Sequence, residues 1–204
     1  DCRCSLRFIE KEISIMKIGM TLPVMEPNLT RQELEDWTLR IDEGPWSHIA
    51  LGERILFPNP EFISTLSAVA AWTKRVEIIA TVSVLTMHNP ILSAKQFATI
   101  DMISEGRFTL GVGVGGREED YNAIGSKWSD RRWAILSNYV KTMQSVWSKE
   151  YHPDLGPTTF SKDGPKILAG AVGPKAMEMS SDFASGLAGF SFNADIEEIK
   201  DSFN

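Results

Sequence analysis

The stretch "FTLGVGVGG", Phe108 to Gly116, contains four glycines in nine residues. Three of them, Gly111, Gly113 and Gly116, have the G-x-G-x-x-G spacing of a dinucleotide-binding loop. Such a loop needs its glycines in the turn after a strand, and an acidic residue about 20 positions further on, where this chain has Leu136. The spacing alone therefore does not establish a nucleotide site.

The glycines fall instead on one face of a predicted strand, because side chains alternate between faces along a strand. The bulky face carries Phe108, Leu110, Val112 and Val114, and the opposite face carries Thr109, Gly111, Gly113 and Gly115. A strand with no side chains on one face lets a large flat ligand approach its backbone. The alternative is that the glycines only relieve a crowded core.

The rest of the chain alternates apolar runs of strand length with segments of helical period. The predicted strands are Lys17–Val24, His48–Gly52, Val76–Thr86, Phe108–Gly115, Lys166–Val172 and Leu187–Phe192. The predicted helices are Arg31–Glu43, Pro60–Thr73, Pro90–Ser104, Ser129–Ser148, Pro174–Ala184 and a last one from Asp195. The segment between Ser148 and Lys166 is predicted to be one long loop.

Helix start signals support these boundaries. Thr30 and Glu33 have the spacing of a capping box. Pro60, Pro90 and Pro174 are placed in first turns, where the missing N–H costs nothing.

Regular alternation of strands and helices predicts a parallel sheet, either doubly wound or closed into a barrel. A barrel strand meets helices on one face and the lumen on the other, which suits the one-sided glycines. The third predicted strand agrees, since its alternation places Thr81 and Ser83, both small and polar, on the lumen side. Small faces on two neighbouring strands make a cavity at the carboxyl end of the barrel, where such enzymes place their sites. We therefore predict a TIM (β/α)₈ barrel.

Composition limits the classes of function. The chain has 204 residues and a formal net charge of −6, enough for one domain and without the basic surface that nucleic acid requires. No apolar run is long enough to cross a membrane, and no metal site is expected. Cys2 and Cys4 are too close for a good intrachain disulfide, so we expect a reducing, cytoplasmic setting.

The two ends of the sequence differ from the middle. Residues 1–15 are interpreted as a tail or artefact before Met16, with a short amphipathic helix as the alternative; the barrel domain is placed at residues 16–204. Only six strand–helix units are counted, whereas a complete barrel has eight. We expect the C-terminal part to be missing and the chain to be a fragment of a longer protein.

A longer stretch carries a resemblance to a known family. "TMHNPILSAKQFATIDMISEGRFTLGVGVGGREEDYNAIG", Thr86 to Gly125, and "PKILAGAVGPKAMEMSSDFASGLAGF", Pro165 to Phe190, resemble the bacterial-luciferase-like superfamily. The resemblance implies a TIM barrel that uses reduced FMN or the deazaflavin coenzyme F-420. The segments "GVGVGGREEDY" and "LGERILFP" resemble the deazaflavin branch of the family more than the luciferases, so F-420 is the preferred cofactor.

The resemblance also implies where the cofactor is bound. Exposed backbone N–H groups at a strand end and a helix start favour an anion, and in the family this loop holds the flavin phosphate. The residues in this loop are Gly170, Ala171, Val172, Gly173, Pro174 and Lys175. The ring of the cofactor would lie against Thr81, Val82 and Ser83, where the family often has a non-proline cis peptide, and against Gly113 and Gly115.

Two side chains are the candidate catalytic residues. Glu53 ends the second strand, and a carboxylate in a dry cleft can act as a general acid or base. The alternative role for Glu53 is an ion pair with Arg54 or another cation. His88 follows the third strand and either lines the pocket or is structural. The luciferases have a catalytic histidine where this chain has Arg54, which argues against luciferase-type chemistry at that position.

The resemblance implies three alternatives for function. The preferred one is F-420-dependent hydride transfer to or from a small organic substrate. The second is an FMNH₂-dependent monooxygenase that uses O₂. The third, from another class, is a non-catalytic flavin-binding homologue. For the full-length protein a homodimer is expected, with contacts through helices of the second and third units.

Overall fold

The computed structural model describes residues 16–171 and 173–189. The strands are β1 (Met20–Thr21), β2 (His48–Leu51), β3 (Glu77–Ala80), β4 (Phe108–Val112) and β5 (Lys166–Ala169). The helices are α1 (Arg31–Glu43), α2 (Phe62–Trp72), α3 (Pro90–Ile103), α4 (Glu118–Ala123), α5 (Arg132–Trp147) and α6 (Pro174–Ser180). A short 3₁₀ turn, Leu85–Met87, joins β3 to α3.

The five strands form one parallel sheet in the order β1-β2-β3-β4-β5. A doubly wound sheet requires the strand order to reverse at one point. Here every strand pairs with the next one in sequence, and right-handed crossovers then place all the helices on one face. The chain thus has the wall of a (β/α) barrel, which confirms the predicted fold and excludes the dinucleotide-binding alternative.

The core lies between this sheet and its helices. Ile49, Ile78 and Leu110 occupy the helix-facing side of three adjacent strands and are buried. On the opposite side, Ile79 is paired with Thr109, and both are partly exposed. One face of each strand is therefore covered by helices and the other is directed to the barrel lumen, as the sequence pattern predicted.

Several element boundaries differ from the prediction. Helix α1 has its predicted bounds, and the capping box is present, with the Thr30 N–H donating to Glu33 at 2.8 Å. Pro90 and Pro174 begin their helices as predicted. The placement of Pro60 is wrong: Glu61 is the N-cap of α2, accepting from the N–H groups of the first turn, so Pro60 precedes the cap.

The strands are shorter than predicted, and one helix was missed. β3 ends at Ala80 rather than at Thr86: beyond it, Ser83 makes one isolated parallel bridge to Val112, and the 3₁₀ segment begins at Leu85. Helix α4 was not predicted, although its first turn holds three acidic residues, which favour a helix N-terminus. Leu187 makes one parallel bridge to Ala169, where a sixth strand was predicted. Residues 190–192 of that predicted strand, residues 1–15 and the helix from Asp195 lie outside the described residues.

Asp101 fixes the long loop between α5 and β5 to helix α3. Its carboxylate is buried and accepts from the backbone N–H of Ser161 at 2.8 Å and from its hydroxyl at 2.7 Å.

We expect Asp101→Ala to lower the free energy of unfolding by about 2–3 kcal/mol, because two donors lose their partner. Thermal and urea unfolding measure this. Asp154→Ala, which removes an exposed carboxylate from the same loop, is the control and should unfold like the unmodified protein. Equal losses in the two variants would contradict the anchoring role.

Candidate active site

The glycines just beyond the ends of β4 and β5 pack against Val82. A Cβ added at Gly113 would lie 2.8 Å from a methyl carbon of Val82, and one added at Gly170 would lie 2.9 Å from the other. At Gly115 an added Cβ would meet Val84 at 2.7 Å. The predicted bare backbone is thus covered by two valines, which favours the crowded-core alternative for these glycines. Contact of Gly113 and Gly115 with a cofactor stays a prediction, and Val82 already occupies the space beside Gly113.

The segment Thr81–Val84, called the platform below, does not continue the strand alternation. The prediction that Thr81 and Ser83 share the lumen face is wrong, because regular pairing ends at Ala80 and Val82 takes the position over the glycines. Thr81 is exposed, Val82 is half-buried, and Ser83 is buried. The peptide bond between Thr81 and Val82 is cis.

Glu53 holds the platform in place. Its side chain is only 3% exposed. One carboxylate oxygen accepts from the backbone N–H of Val84 at 2.6 Å and from the hydroxyl of Ser83 at 3.2 Å. The backbone N–H of Glu53 donates to the carbonyl of Val82 at 3.1 Å. Because Glu53 lies two residues beyond the end of β2, these bonds fix the end of β2 to the segment that follows β3.

His88 contacts the other oxygen of the same carboxylate. Its Nε2 lies 2.6 Å from Glu53 Oε1, and its side chain is 31% exposed. Burial opposes protonation of the ring, but the hydrogen bond and the charge of Glu53, with the charge of Glu61, outweigh burial and raise the pKa of His88. The alternative partner for Glu53, Arg54, forms no ion pair with it among residues 16–171 and 173–189. The structure therefore brings the two candidate catalytic residues together.

This pair predicts a pH dependence. Because the pKa of His88 is raised in the folded protein, protonation of this ring stabilises the fold. This contribution is complete below about pH 6.5, the pKa of histidine in the unfolded chain, and it is lost as the pH rises through the folded-state pKa. We expect Glu53→Gln to lower the His88 titration midpoint, because burial, which disfavours the protonated ring, then acts without the opposing charge of the carboxylate. Proton NMR of the ring measures the midpoint, and the chain has only three histidines to assign.

Glu61→Gln is the matched control for that titration. Glu61 contributes only its charge to His88, whereas Glu53 also provides the hydrogen bond. The midpoint should therefore fall less in Glu61→Gln than in Glu53→Gln. An unchanged midpoint in Glu53→Gln would show that the pair does not exist in solution.

The predicted phosphate loop lines a separate cleft of about 490 Å³. Gly173 has φ 95°, a conformation that favours glycine, and a Cβ there would meet nothing within 4 Å. Lys175 lines this cleft together with Asp130 and Arg131, which precede α5, and Trp133 in its first turn. Val172 lies outside the described residues, and Ala171 is buried. The two cations outnumber the one carboxylate of Asp130, and with the open Gly173 they suit an anionic group; the role of these residues remains a prediction.

Sequence reasoning missed Arg131 as a lining residue of this cleft. Its position in the connection after β4, just before α5, was the available signal, because the segments that follow the strands meet at one end of a barrel. Trp128, in contrast, packs edge-on against the buried Tyr121 with ring centres 5.1 Å apart. The Arg132 guanidinium stacks on Trp128 at 3.3 Å from the ring centre, so this tryptophan has a packing role.

A family model described as luciferase-like monooxygenase matches residues 16–204. The chain belongs to this family. Members are flavin-dependent oxidoreductases, which confirms the resemblance seen in the sequence. Among curated relatives, it is 28% identical to 2,5-diketocamphane 1,2-monooxygenase 1 of Pseudomonas putida over 79% of this chain and 45% of that protein. The chain spans less than half the length of the first curated relatives it matches.

Two solved structures have a similar fold. An F420-dependent secondary alcohol dehydrogenase in complex with an F420-acetone adduct superposes with a TM-score of 0.65 at 19% identity, over 84% of this chain and 58% of that one. The oxygenating constituent of 3,6-diketocamphane monooxygenase from Pseudomonas putida, in complex with FMN, superposes with a TM-score of 0.61 at 19% identity, over 76% and 52%. Within the described part of the chain, no helix is both long and apolar enough for a membrane span.

Proposed function

We propose that the protein is an oxidoreductase that binds a flavin-type cofactor at the carboxyl ends of its strands and acts on a small organic substrate. The observation that carries this proposal is the platform: an apolar, half-buried Val82 backed by Gly111, Gly113 and Gly170 and fixed from behind by Glu53. A flat ring needs a rigid apolar surface of this kind. A cytoplasmic location and a homodimer are part of the same proposal.

The preferred cofactor is F-420, with reduced FMN as the alternative. The sequence resemblance and the fold of the F420-dependent dehydrogenase support the first. The FMN-bound camphane enzyme and the monooxygenase relatives support the second. When bound, the deazaflavin supplies hydride transfer, whereas reduced FMN supplies the electrons for monooxygenation with O₂.

Side chains of this protein would orient the cofactor, hold its phosphate and hold a proton near the substrate. Val82 orients the ring and excludes water from one of its faces. Arg131 and Lys175, which line one cleft, would hold the cofactor's phosphate. His88 Nε2 and Glu53 Oε1 hold a proton between them at 2.6 Å. Because both oxygens of Glu53 are engaged, proton exchange with a substrate would pass through His88 rather than through Glu53 directly.

Titration with F-420 and with FMN, each followed by absorbance, tests the proposal. We expect saturable binding, tighter for F-420, and about tenfold weaker binding in a Lys175→Ala variant, from the loss of one phosphate contact. Lys141→Ala, an exposed lysine on helix α5 outside this cleft, is the matched control and should bind like the unmodified protein. If neither cofactor binds, the proposal fails. Binding without turnover on any organic substrate would support the non-catalytic alternative.

A further inference from the structure

A second cleft, called the rim groove below, lies between the start of helix α3 and helix α5. It has a volume of about 580 Å³, within the range of small-molecule sites. Its lining includes Met87, His88, Pro90, Lys127, Ile135 and Tyr139. None of these belongs to the cleft of Lys175, so the rim groove is separate from the proposed phosphate site.

We propose that the rim groove binds a small organic anion, a carboxylate attached to an apolar body. The groove carries the ammonium group of Lys127 and no acidic side chain among its lining residues. Met87, Ile135 and Tyr139 supply the apolar surface for the rest of such a ligand. This proposal does not depend on the phosphate cleft, since the two share no lining residue, whereas His88 belongs both to the rim groove and to the proposed active site.

His88 lines the groove and has a second ring nitrogen available for a ligand. Its Nε2 is held by Glu53, and its Nδ1 makes no hydrogen bond to any described residue. Glu53 and Glu61 raise the pKa of His88 against the effect of burial, so the protonated ring, with Nδ1–H as a donor, is favoured. The carboxylate of Glu61 is itself bound by the N–H groups of Ile63 and Ser64. Since Glu53 offsets the charge of His88, the net positive charge of the groove comes from Lys127.

A ligand bound in the rim groove would be coupled energetically to the platform. An anion on Nδ1 stabilises protonated His88, which strengthens its hydrogen bond to Glu53. Glu53 in turn holds Val84 by a hydrogen bond of 2.6 Å. A ligand in the rim groove and the platform segment are therefore linked through a single buried carboxylate.

Benzoate is a suitable probe, and benzamide is its neutral counterpart of the same shape. In the flavin-free protein, we expect benzoate to shift the His88 ring signal and to raise its titration midpoint, with millimolar affinity. Lys127→Gln should weaken benzoate binding about fivefold, the effect of losing one partly solvated charge. Lys141→Gln, on helix α5 but outside the groove, should leave benzoate binding unchanged.

Three results would overturn the inference. One is equal binding of benzoate and benzamide, since the groove would then not select for charge. Another is equal benzoate affinity in the Lys127 and Lys141 variants. The third is the absence of any benzoate shift at His88. Because no flavin is present in these measurements, none of these outcomes bears on cofactor binding at the platform.

Discussion

Gly111→Ala is expected to lower the free energy of unfolding by at least about 3 kcal/mol. An added Cβ at Gly111 would lie 2.2 Å from the carbonyl oxygen of Ala80, a backbone atom of the paired strand β3. Neither strand can move away without breaking the ladder between β3 and β4, so the strain cannot be relieved by a rotamer change. Urea unfolding followed by circular dichroism measures the loss.

Gly116→Ala is the matched control for this substitution. A Cβ at Gly116 would meet nothing within 4 Å, so the change should stay within about 0.5 kcal/mol of the unmodified protein. Similar stabilities for the Gly111 and Gly116 variants would show that β3 and β4 do not pack as described.

A substitution at Gly113 tests whether Val82 packs directly against this glycine. Its added Cβ would meet a methyl group of Val82 at 2.8 Å and no backbone atom closer than 3.9 Å. Gly113→Ala should therefore destabilise the protein, and Val82→Ala in the same chain should recover part of the loss. Additive losses in the double variant would contradict direct contact between these two residues.

The fold could be predicted because its signals are local and repeated. The capping box at Thr30 and the proline at Pro90 mark helix starts by hydrogen bonding within a few residues. The one-sided glycines of β4 distinguished a barrel from a doubly wound sheet. These signals do not depend on how distant parts of the chain meet.

The arrangement of the platform could not be predicted, because it depends on contacts between separate strands. Strand alternation predicts that Ser83 faces the lumen, whereas Ser83 is buried and donates to Glu53, 30 residues earlier in the chain. Likewise, the sequence indicated Glu53 and His88 separately as candidates. The contact of the Glu53 carboxylate with both His88 and Val84 follows only from the side-by-side placement of β2 and β3.

Glu53→Ala is expected to destabilise the protein by about 3 kcal/mol, because the substitution leaves the Val84 N–H and the Ser83 hydroxyl without their buried acceptor. Thermal unfolding measures this loss. Glu119→Ala, which removes a half-exposed carboxylate, is the control and should cost less than about 1 kcal/mol. A Glu53→Ala protein as stable as the control would show that the carboxylate does not hold the platform.

Glu53→Gln separates positioning from acid–base catalysis. The amide keeps an oxygen that can accept from Val84, so the platform should be largely preserved while the charge behind His88 is lost. If Glu53 acts by positioning, cofactor affinity should be nearly unchanged and the rate should fall only several-fold, because the charge behind His88 is lost. If Glu53 exchanges protons with the substrate, the rate should fall by about 10²–10⁴ with cofactor affinity retained. Since both oxygens of Glu53 are engaged and its side chain is 3% exposed, we expect the first outcome.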